Sequence, residues 1–382
     1  MKICFINNLY GANARGGAEK IIERLATTLI TRGYQISVIS GAVQTGVSYK
    51  EQLGVKLIFL PSQYQLLNNK SFFYKIFFHF FSFFNIIGAR RLGKIIKQER
   101  PDLIWTHNLV GLNLLSFKFL GTAKKIHTFH DIQLLHPSGL MFYQFESLLN
   151  SFSAKIYQAL VRLVFPKNIL GIFPSVWLKD LYKQYNLLPA NNLVLKNPLE
   201  SKNLINPEVG ERAKFSFLYL GQLEPHKGVE LLIKSFLKLN NTDINLIIAG
   251  TGSLETKLKN DYQENSSIIF LGKVESAQQA FKQADCLVVP SLCYENLPTV
   301  ALEANAYELP TIGSNLGGVA EAIGDERLLF EPSEEKLISK LAWCLANKQE
   351  LKELAKLARQ KVKIPDTSSY LEEVGKMIKL NF

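Results

Sequence analysis

The feature that most constrains this chain is a regular alternation of short, β-branched or apolar runs with longer amphipathic stretches. Strand candidates in the first half are KICFINN, YQISVIS, VKLIFL, DLIWTH, AKKIHTFH and NILGIFP; in the second half they are FSFLYLG, INLIIAG, IIFLG, DCLVVP and PTIGS. Between them lie helix-like segments such as AEKIIERLATTLITRG at 18–33 and GVELLIKSFLKLN at 228–240. Strand, helix and strand repeated in this way predict an α/β protein whose parallel sheets are covered by helices on both faces.

The alternation breaks once, at 196–212, where two prolines, several asparagines and mixed charges replace any sustained period. That composition reads as a domain linker. The chain has 382 residues, long for one core and suited to two. Two doubly wound, Rossmann-like domains are therefore expected, over 1–197 and 213–362. The remainder, 363–382, contains DTSSYLEEVGKMIKL, which reads as a capped amphipathic helix with Ser368 or Ser369 as cap and Glu372 in the first turn. Doubly wound sheets bind ligands beyond the carboxyl ends of their strands, and with two such domains the cleft between them is the expected site.

Hydrophobic residues make up 47% and charged residues 20% of the chain, a folded rather than disordered composition. With 44 Lys and Arg against 33 Asp and Glu, the formal charge is +11. This excess favours an anionic partner: nucleic acid, an anionic membrane surface or a phosphorylated substrate. No helix-turn-helix, zinc or RNP-like pattern accompanies it, so nucleic acid is not expected. Cys4, Cys286, Cys293 and Cys344 form no CxxC pair and read as buried thiols in a reducing compartment. The start MKICFINNLYG reads as a first strand, not a signal peptide, and no uncharged apolar run approaches the roughly 18 to 20 residues that span a bilayer. A cytoplasmic protein is expected, one able to lie against a membrane from that side.

The strand ends carry the chemistry. The first strand runs into Gly16-Gly17, which opens a helix; glycines there let backbone N–H groups approach a phosphate, although a plain strand-to-helix turn explains them too. Later strands end in Thr106-His107-Asn108 and in HTFHDIQLLHP, where His130-Asp131 follow the strand directly. A lone histidine is usually structural, but a strand-end His-Asp step suits a site. The spacing of His127, His130 and His136 matches no metal pattern, so no metal site is expected.

In the second half, Gly221 allows a turn, Lys227 offers a positive charge and Gly228 begins a helix. The helix dipole repels a lysine at that end, which hints at an anion recognised by both; a surface lysine on a loop is the competing reading. Gly250-Thr251-Gly252, with Glu255 at the last position, resembles a dinucleotide fingerprint, but no well-placed acid follows at the next strand, so a tight turn near a nucleotide is preferred. The most specific stretch is YENLPTVALEAN at 294–305. Pro298 suits a helix start, which puts Glu295 in the loop before the helix and Glu303 on it. Free N–H groups near Leu297, Thr299 and Val300 would receive a phosphate, while a carboxylate accepts two hydrogen bonds from adjacent sugar hydroxyls.

Gly16-Gly17-Ala18-Glu19, His130-Asp131, Gly221 with Lys227-Gly228, Gly250-Thr251-Gly252 and the Glu-x7-Glu of ENLPTVALE occur in this order. In that order, over nearly the whole chain, they resemble the group 1 family of retaining glycosyltransferases with the GT-B fold. The resemblance implies transfer of a hexose from a nucleotide diphosphate sugar to a hydroxyl of a glycan or lipid-linked acceptor, in cell-surface polysaccharide synthesis, with no cofactor beyond the donor. It implies that Glu303 binds the ribose hydroxyls, that Glu295 and the N–H groups of Asn296 and Leu297 hold the donor sugar, and that Thr299 belongs to the same donor site. Lys227 would neutralise the diphosphate beside Gly221 and Gln222, with Gly250 and Gly252 nearby and Gly16 and Gly17 approaching from the other domain. His130 would contact the donor sugar near the reaction centre, and the final helix would cross back onto the N-terminal domain. Gln222 departs from the pattern, because the family usually has Arg there. The chain has no Asp-x-Asp, in keeping with a metal-independent mechanism in which Lys227 and helix dipoles hold the leaving group's charge. No close carboxylate pair of the kind used in retaining hydrolysis is identified, so no nucleophile is assigned.

Nine of the thirteen residues from Phe72 to Phe84 are aromatic, and Lys75, Arg90, Arg91, Lys94 and Lys97 add positive charge. Within 71–97 a contact with an anionic membrane surface is expected, against a buried helix with a solvated basic turn. Two other functions remain in view: a sugar-nucleotide 2-epimerase of the same fold, which needs no acceptor, and a non-catalytic scaffold of which Gln222 would be a trace.

Overall fold

The computed structural model describes residues 1–11, 16–69, 71–200, 212–380 and 382. The chain divides into two compact units. Unit 1 comprises Met1–Leu140, Ser147–Pro198 and Pro365–Phe382; unit 2 comprises Met141–Glu146 and Leu199–Ile364.

Unit 1 is built on an eight-stranded sheet in the order β3-β4-β2-β1-β5-β6-β7-β8. Its strands are β1 (Lys2–Ile6), β2 (Gln35–Ala42), β3 (Ser48–Gln52), β4 (Val55–Pro61), β5 (Leu103–Thr106), β6 (Lys124–Thr128), β7 (Leu170–Phe173) and β8 (Asn191–Val194). The interior strands β5 and β7 are buried at every position, as expected of parallel strands covered on both faces. Two strands escaped the sequence reading. β3 is exposed at every position and pairs antiparallel with β4, so the sheet is not wholly parallel; SYKEQ lacks the apolar content that marks a strand. β8 is short and polar, NNLV.

The helix Thr367–Ile378 belongs to unit 1, where Tyr370, Leu371 and Val374 are fully buried. The Tyr370 ring stacks on Trp105 of β5 at 6.4 Å. Its cap differs from the sequence expectation: Asp366, not Ser368 or Ser369, holds the N-cap and accepts from the Ser369 amide at 2.7 Å. A carboxylate there answers both the open amides and the helix dipole.

Unit 2 carries a six-stranded parallel sheet in the order β11-β10-β9-β12-β13-β14. Its strands are β9 (Phe215–Leu220), β10 (Ile244–Ala249), β11 (Ile268–Gly272), β12 (Cys286–Val289), β13 (Thr311–Ser314) and β14 (Leu329–Phe330). β14 has two residues and left no readable pattern. Met141–Glu146 falls inside the expected N-terminal domain but packs with unit 2. Phe142 bridges Cys293, and the Tyr294 hydroxyl donates to Glu146 at 2.7 Å. Residues 201–211 of the expected linker lie outside the described residues. All four cysteines are free and buried. Among the described residues no helix is long and apolar enough to cross a membrane.

Candidate functional site

In unit 2 three neighbouring strands, β9, β12 and β13, send their C-terminal loops to one place. The loop after β9 ends in a 3-10 turn, Pro225–Lys227, and enters the helix Val229–Leu237 through Gly228. Gly228 has φ +74°, and a Cβ there would lie 1.8 Å from the Pro290 carbonyl oxygen, so only glycine fits. The same close approach lets the His226 carbonyl accept from the Leu292 amide at 2.9 Å. The loops after β9 and β12 are thereby locked together.

This lock joins Lys227 to Glu295. Lys227 Nζ lies 2.6 Å from Glu295 Oε1, which also accepts from Ser291 Oγ at 2.7 Å. The Glu295 backbone is fixed from the other side, where its carbonyl accepts from the Gly318 amide at 2.8 Å and Glu295 pairs with Gly317 in a β-bridge. Burial pushes the Glu295 carboxyl up, but the Lys227 ammonium and the hydrogen bonds from Lys227 and Ser291 outweigh it and leave it below its ordinary value. Burial pulls Lys227 down, and the Glu295 carboxylate outweighs that too, leaving it above the ordinary lysine value. Both groups are therefore charged at neutral pH.

The helix Thr299–Ala306 starts beside this pair. Its N-cap is Pro298, which offers no side-chain cap, so the first-turn amides have no capping side chain. Asn296 and Thr299 are half-buried, while the Leu297 side chain is in the core, which leaves Leu297 only its backbone for a ligand. Glu303 is half-buried on the helix. The two acids thus differ in kind: Glu295 sits in an ion pair in the loop, Glu303 one turn into the helix. The Asn305 amide reaches toward the Ala322 and Ile323 carbonyls at 3.5 and 3.4 Å, tying this helix to Val319–Ile323.

Gly250 and Gly252 have a packing role. Gly250 has φ +136°, and a Cβ there would lie 1.8 Å from the Gly221 carbonyl oxygen. Leu223 N donates to Thr251 O at 2.9 Å, and Ser253 donates to the Glu224 carboxylate through both its amide and its hydroxyl. The glycines bring the loop after β10 onto Gly221–Glu224, and Gln222 is half-buried there, its carbonyl accepting from the Tyr219 hydroxyl at 2.5 Å.

In unit 1 the ends of β5 and β6 bring a second cluster together. His130 Nε2 lies 2.7 Å from Nδ1 of the fully buried His107, the rings nearly parallel at 5.0 Å. Burial holds His107 well below the ordinary histidine value and brings His130 down to about 4 and His127 to about 3. At neutral pH these rings are uncharged and can exchange hydrogen bonds but not act as acids. Asp131 accepts from the Gln133 amide at 2.7 Å. Burial pushes its carboxyl up to about 7, with Glu19 adding to the effect. Glu19 in turn takes the Gly16 amide at 3.0 Å, so the helix opened by Gly16-Gly17 already has a carboxylate at its first amide.

Sequence reasoning missed Ser291, Gly317 and Gly318 as parts of these clusters, and it marked His107 as a strand-end residue without its partner. Gly317-Gly318 was findable: it is a glycine pair between a strand and a helix, as Gly16-Gly17 is. Ser291 lies only four residues before Glu295, but a serine in a loop has no pattern that marks it; the strand end holding His107 was legible, its meeting with His130 was not.

The family model for glycosyl transferases group 1 matches residues 202–361, and that for glycosyltransferase family 4 matches 15–199. An uncharacterized glycosyltransferase of Methanocaldococcus jannaschii is 32% identical over 275 residues, 70% of this chain and 72% of that protein. The UDP-Gal:alpha-D-GlcNAc-diphosphoundecaprenol alpha-1,3-galactosyltransferase of Escherichia coli is 26% identical over 244 residues, 59% of this chain and 61% of its own. Among solved structures, Anabaena Alr3699/HepE in complex with UDP and glucose superposes with a TM-score of 0.71 at 17% identity, over 99% of each chain. At that identity the likeness establishes the fold, GT-B.

Proposed function

The chain belongs to the group 1 glycosyl transferases, and on that premise we propose that it moves a hexose from a nucleotide diphosphate sugar to a hydroxyl of a glycan or lipid-linked acceptor, with retention of configuration and without a metal ion. The observation that carries this reading is the Lys227–Glu295 pair, held where three strand-end loops meet an uncapped helix start.

The leaving group is a nucleoside diphosphate, so its developing charge is what most needs stabilising. Lys227 supplies a cation on a glycine-locked loop, and the first-turn amides at Thr299 and Val300 add the helix dipole. Gln222 donates hydrogen bonds where a second cation would otherwise stand, and Gly221, its own amide bonded to the Ala249 carbonyl, allows the turn that places it. Glu295 accepts from adjacent sugar hydroxyls, exchanging its bond to Lys227 for them as the lysine turns to the diphosphate. Asn296 and Leu297 contribute backbone N–H groups, and Glu303 takes the ribose hydroxyls. Gly250 and Gly252 act by holding the loop that carries Gln222. In unit 1, where Glu19 occupies the Gly16 amide, Gly17 is the member of that pair proposed to meet an anion. His130, neutral, is proposed to exchange hydrogen bonds with a sugar hydroxyl. UDP in HepE and the diphosphoundecaprenol-linked substrate named for the Escherichia coli relative support a UDP-type donor and a lipid-linked acceptor. Four free, buried cysteines support a cytoplasmic location.

The test is slow donor hydrolysis with UDP-, GDP- and ADP-hexoses in EDTA, followed by NMR. The reading expects one donor to be consumed and the first free sugar to keep the donor's anomeric configuration. An inverted sugar removes the retaining mechanism, a requirement for added metal removes metal independence, and conversion of the donor into a second nucleotide sugar makes the chain an epimerase.

A further inference from the structure

The net positive charge of this chain lies in one unit. Unit 1 carries 25 Lys and Arg against 10 Asp and Glu, a net +15, so unit 2 carries −4 of the total +11. Within unit 1 no acid occurs between Glu51 and Glu99, and none in the helix Phe152–Val164.

Two helices in these acid-free stretches turn apolar side chains to solvent. On the helix Phe72–Phe84, Tyr74, Phe77, Phe81 and Phe84 follow one stripe, with Phe77 59% and Phe81 65% exposed. On Phe152–Val164, Phe152, Ile156 and Leu163 form a second stripe, with Phe152 82% and Leu163 67% exposed. The inner sides of the two helices meet, the buried Phe83 ring lying edge-on to Tyr157 at 6.2 Å, and both helices pack on the turn Leu114–Phe119. The next helix, Ile86–Glu99, packs on the same turn and exposes Ile86 and Ile87 followed by Arg90, Arg91, Lys94 and Lys97; Lys155 and Arg162 are exposed beside the second stripe.

Single exposed apolar residues need no explanation, but two exposed apolar stripes on helices that pack together, with exposed basic side chains on the same elements, do. A soluble polyanion would use the basic side chains and leave the phenylalanines in water. An anionic bilayer uses both: rings enter the boundary between headgroups and acyl chains, and the basic side chains stay among the headgroups. We infer that unit 1 docks on an anionic lipid surface through the Tyr74–Phe84 and Phe152–Leu163 stripes, with Arg90, Arg91, Lys94, Lys155 and Arg162 as the electrostatic rim. The inference extends the proposed lipid-linked acceptor, but it is measured without donor or acceptor, so either reading can fail alone.

The experiment is co-sedimentation of the full chain with phosphatidylcholine vesicles, with and without phosphatidylglycerol, at low salt. Binding is expected to the anionic vesicles only, and to fall as salt rises. Arg90→Ser with Arg91→Ser should weaken it roughly 25-fold, at about fivefold for each charge removed. Phe77→Ser with Phe81→Ser, and separately Phe152→Ser with Leu163→Ser, should each weaken it at least about tenfold, with the melting temperature and donor hydrolysis unchanged as evidence of folding. No association of the wild type with anionic vesicles overturns the inference. So does vesicle binding that survives both pairs of apolar substitutions, and heparin binding of the same strength would then assign the charge to a soluble polyanion.

Discussion

Lys227 Nζ and Glu295 Oε1, 68 positions apart in sequence, lie 2.6 Å apart and join the loops after β9 and β12. The lowered carboxyl contributes stability above its unfolded value and loses it as pH falls through the folded one; the raised ammonium contributes below its unfolded value and loses it as pH rises through the folded one. The pair is therefore intact across the neutral range. Lys227→Ala leaves a mostly buried carboxylate alone and should cost about 1–3 kcal/mol, below the range for fully buried pairs because both groups keep some solvent. Adding Glu295→Gln should restore part of that stability while donor binding stays lost. Denaturant titration of the two single variants and the double variant checks this, and strictly additive costs would remove the coupling.

Asp131 makes unit 1 sensitive to pH in a direction opposite to its histidines. Its carboxyl is raised from 3.8 to about 7, so between those values the folded chain holds a proton that the unfolded chain has released. Stability falls as pH rises across that window and levels off above it. For the lowered His107, His127 and His130 the loss comes instead as pH falls below 6.5. Asp131→Asn keeps the acceptor for the Gln133 amide and removes the buried charge. Its advantage over wild type should grow from pH 4 to 7 and then stay constant, with a ceiling of about 4 kcal/mol. Melting curves at pH 4, 6 and 8 read it, and an advantage independent of pH would contradict the assignment.

Gly228→Ala should be among the most damaging single changes in unit 2. It places a Cβ against the Pro290 carbonyl oxygen at a backbone angle of +74°, and backbone on both sides cannot yield cheaply. A loss of at least about 2 kcal/mol is expected, together with loss of donor binding as the loop that carries Lys227 is pushed off Pro290. Gly46→Ala, where no atom lies within 4 Å of the added carbon, is the control.

The strands that carry these residues were legible because parallel strands buried on both faces write themselves as apolar runs: INLIIA and CLVV are strands and read as such. β3 and β8 were not, since an exposed or polar edge strand is defined by its neighbour rather than by its own side chains. The position of Glu295 in a loop and of Glu303 on a helix followed from Pro298. Their partners did not: nothing local in PHKG says that its lysine meets a glutamate 68 residues later, nor that His130 meets His107. The glycines of 250–252 were legible as a tight turn, but their reason, the approach of Gly221, exists only once β9 and β10 lie side by side.

The central claim is that unit 2 holds the nucleotide through Glu303. Calorimetric titration of UDP, GDP and ADP into wild type and Glu303→Ala, in EDTA, tests it most directly. The account predicts that one nucleotide binds and that the substitution weakens it at least about tenfold, the worth of one charge-assisted hydrogen bond, with the melting temperature unchanged. If no nucleotide binds, or if Glu303→Ala binds as wild type does, then Glu303 is a surface charge and the donor site assigned here is wrong.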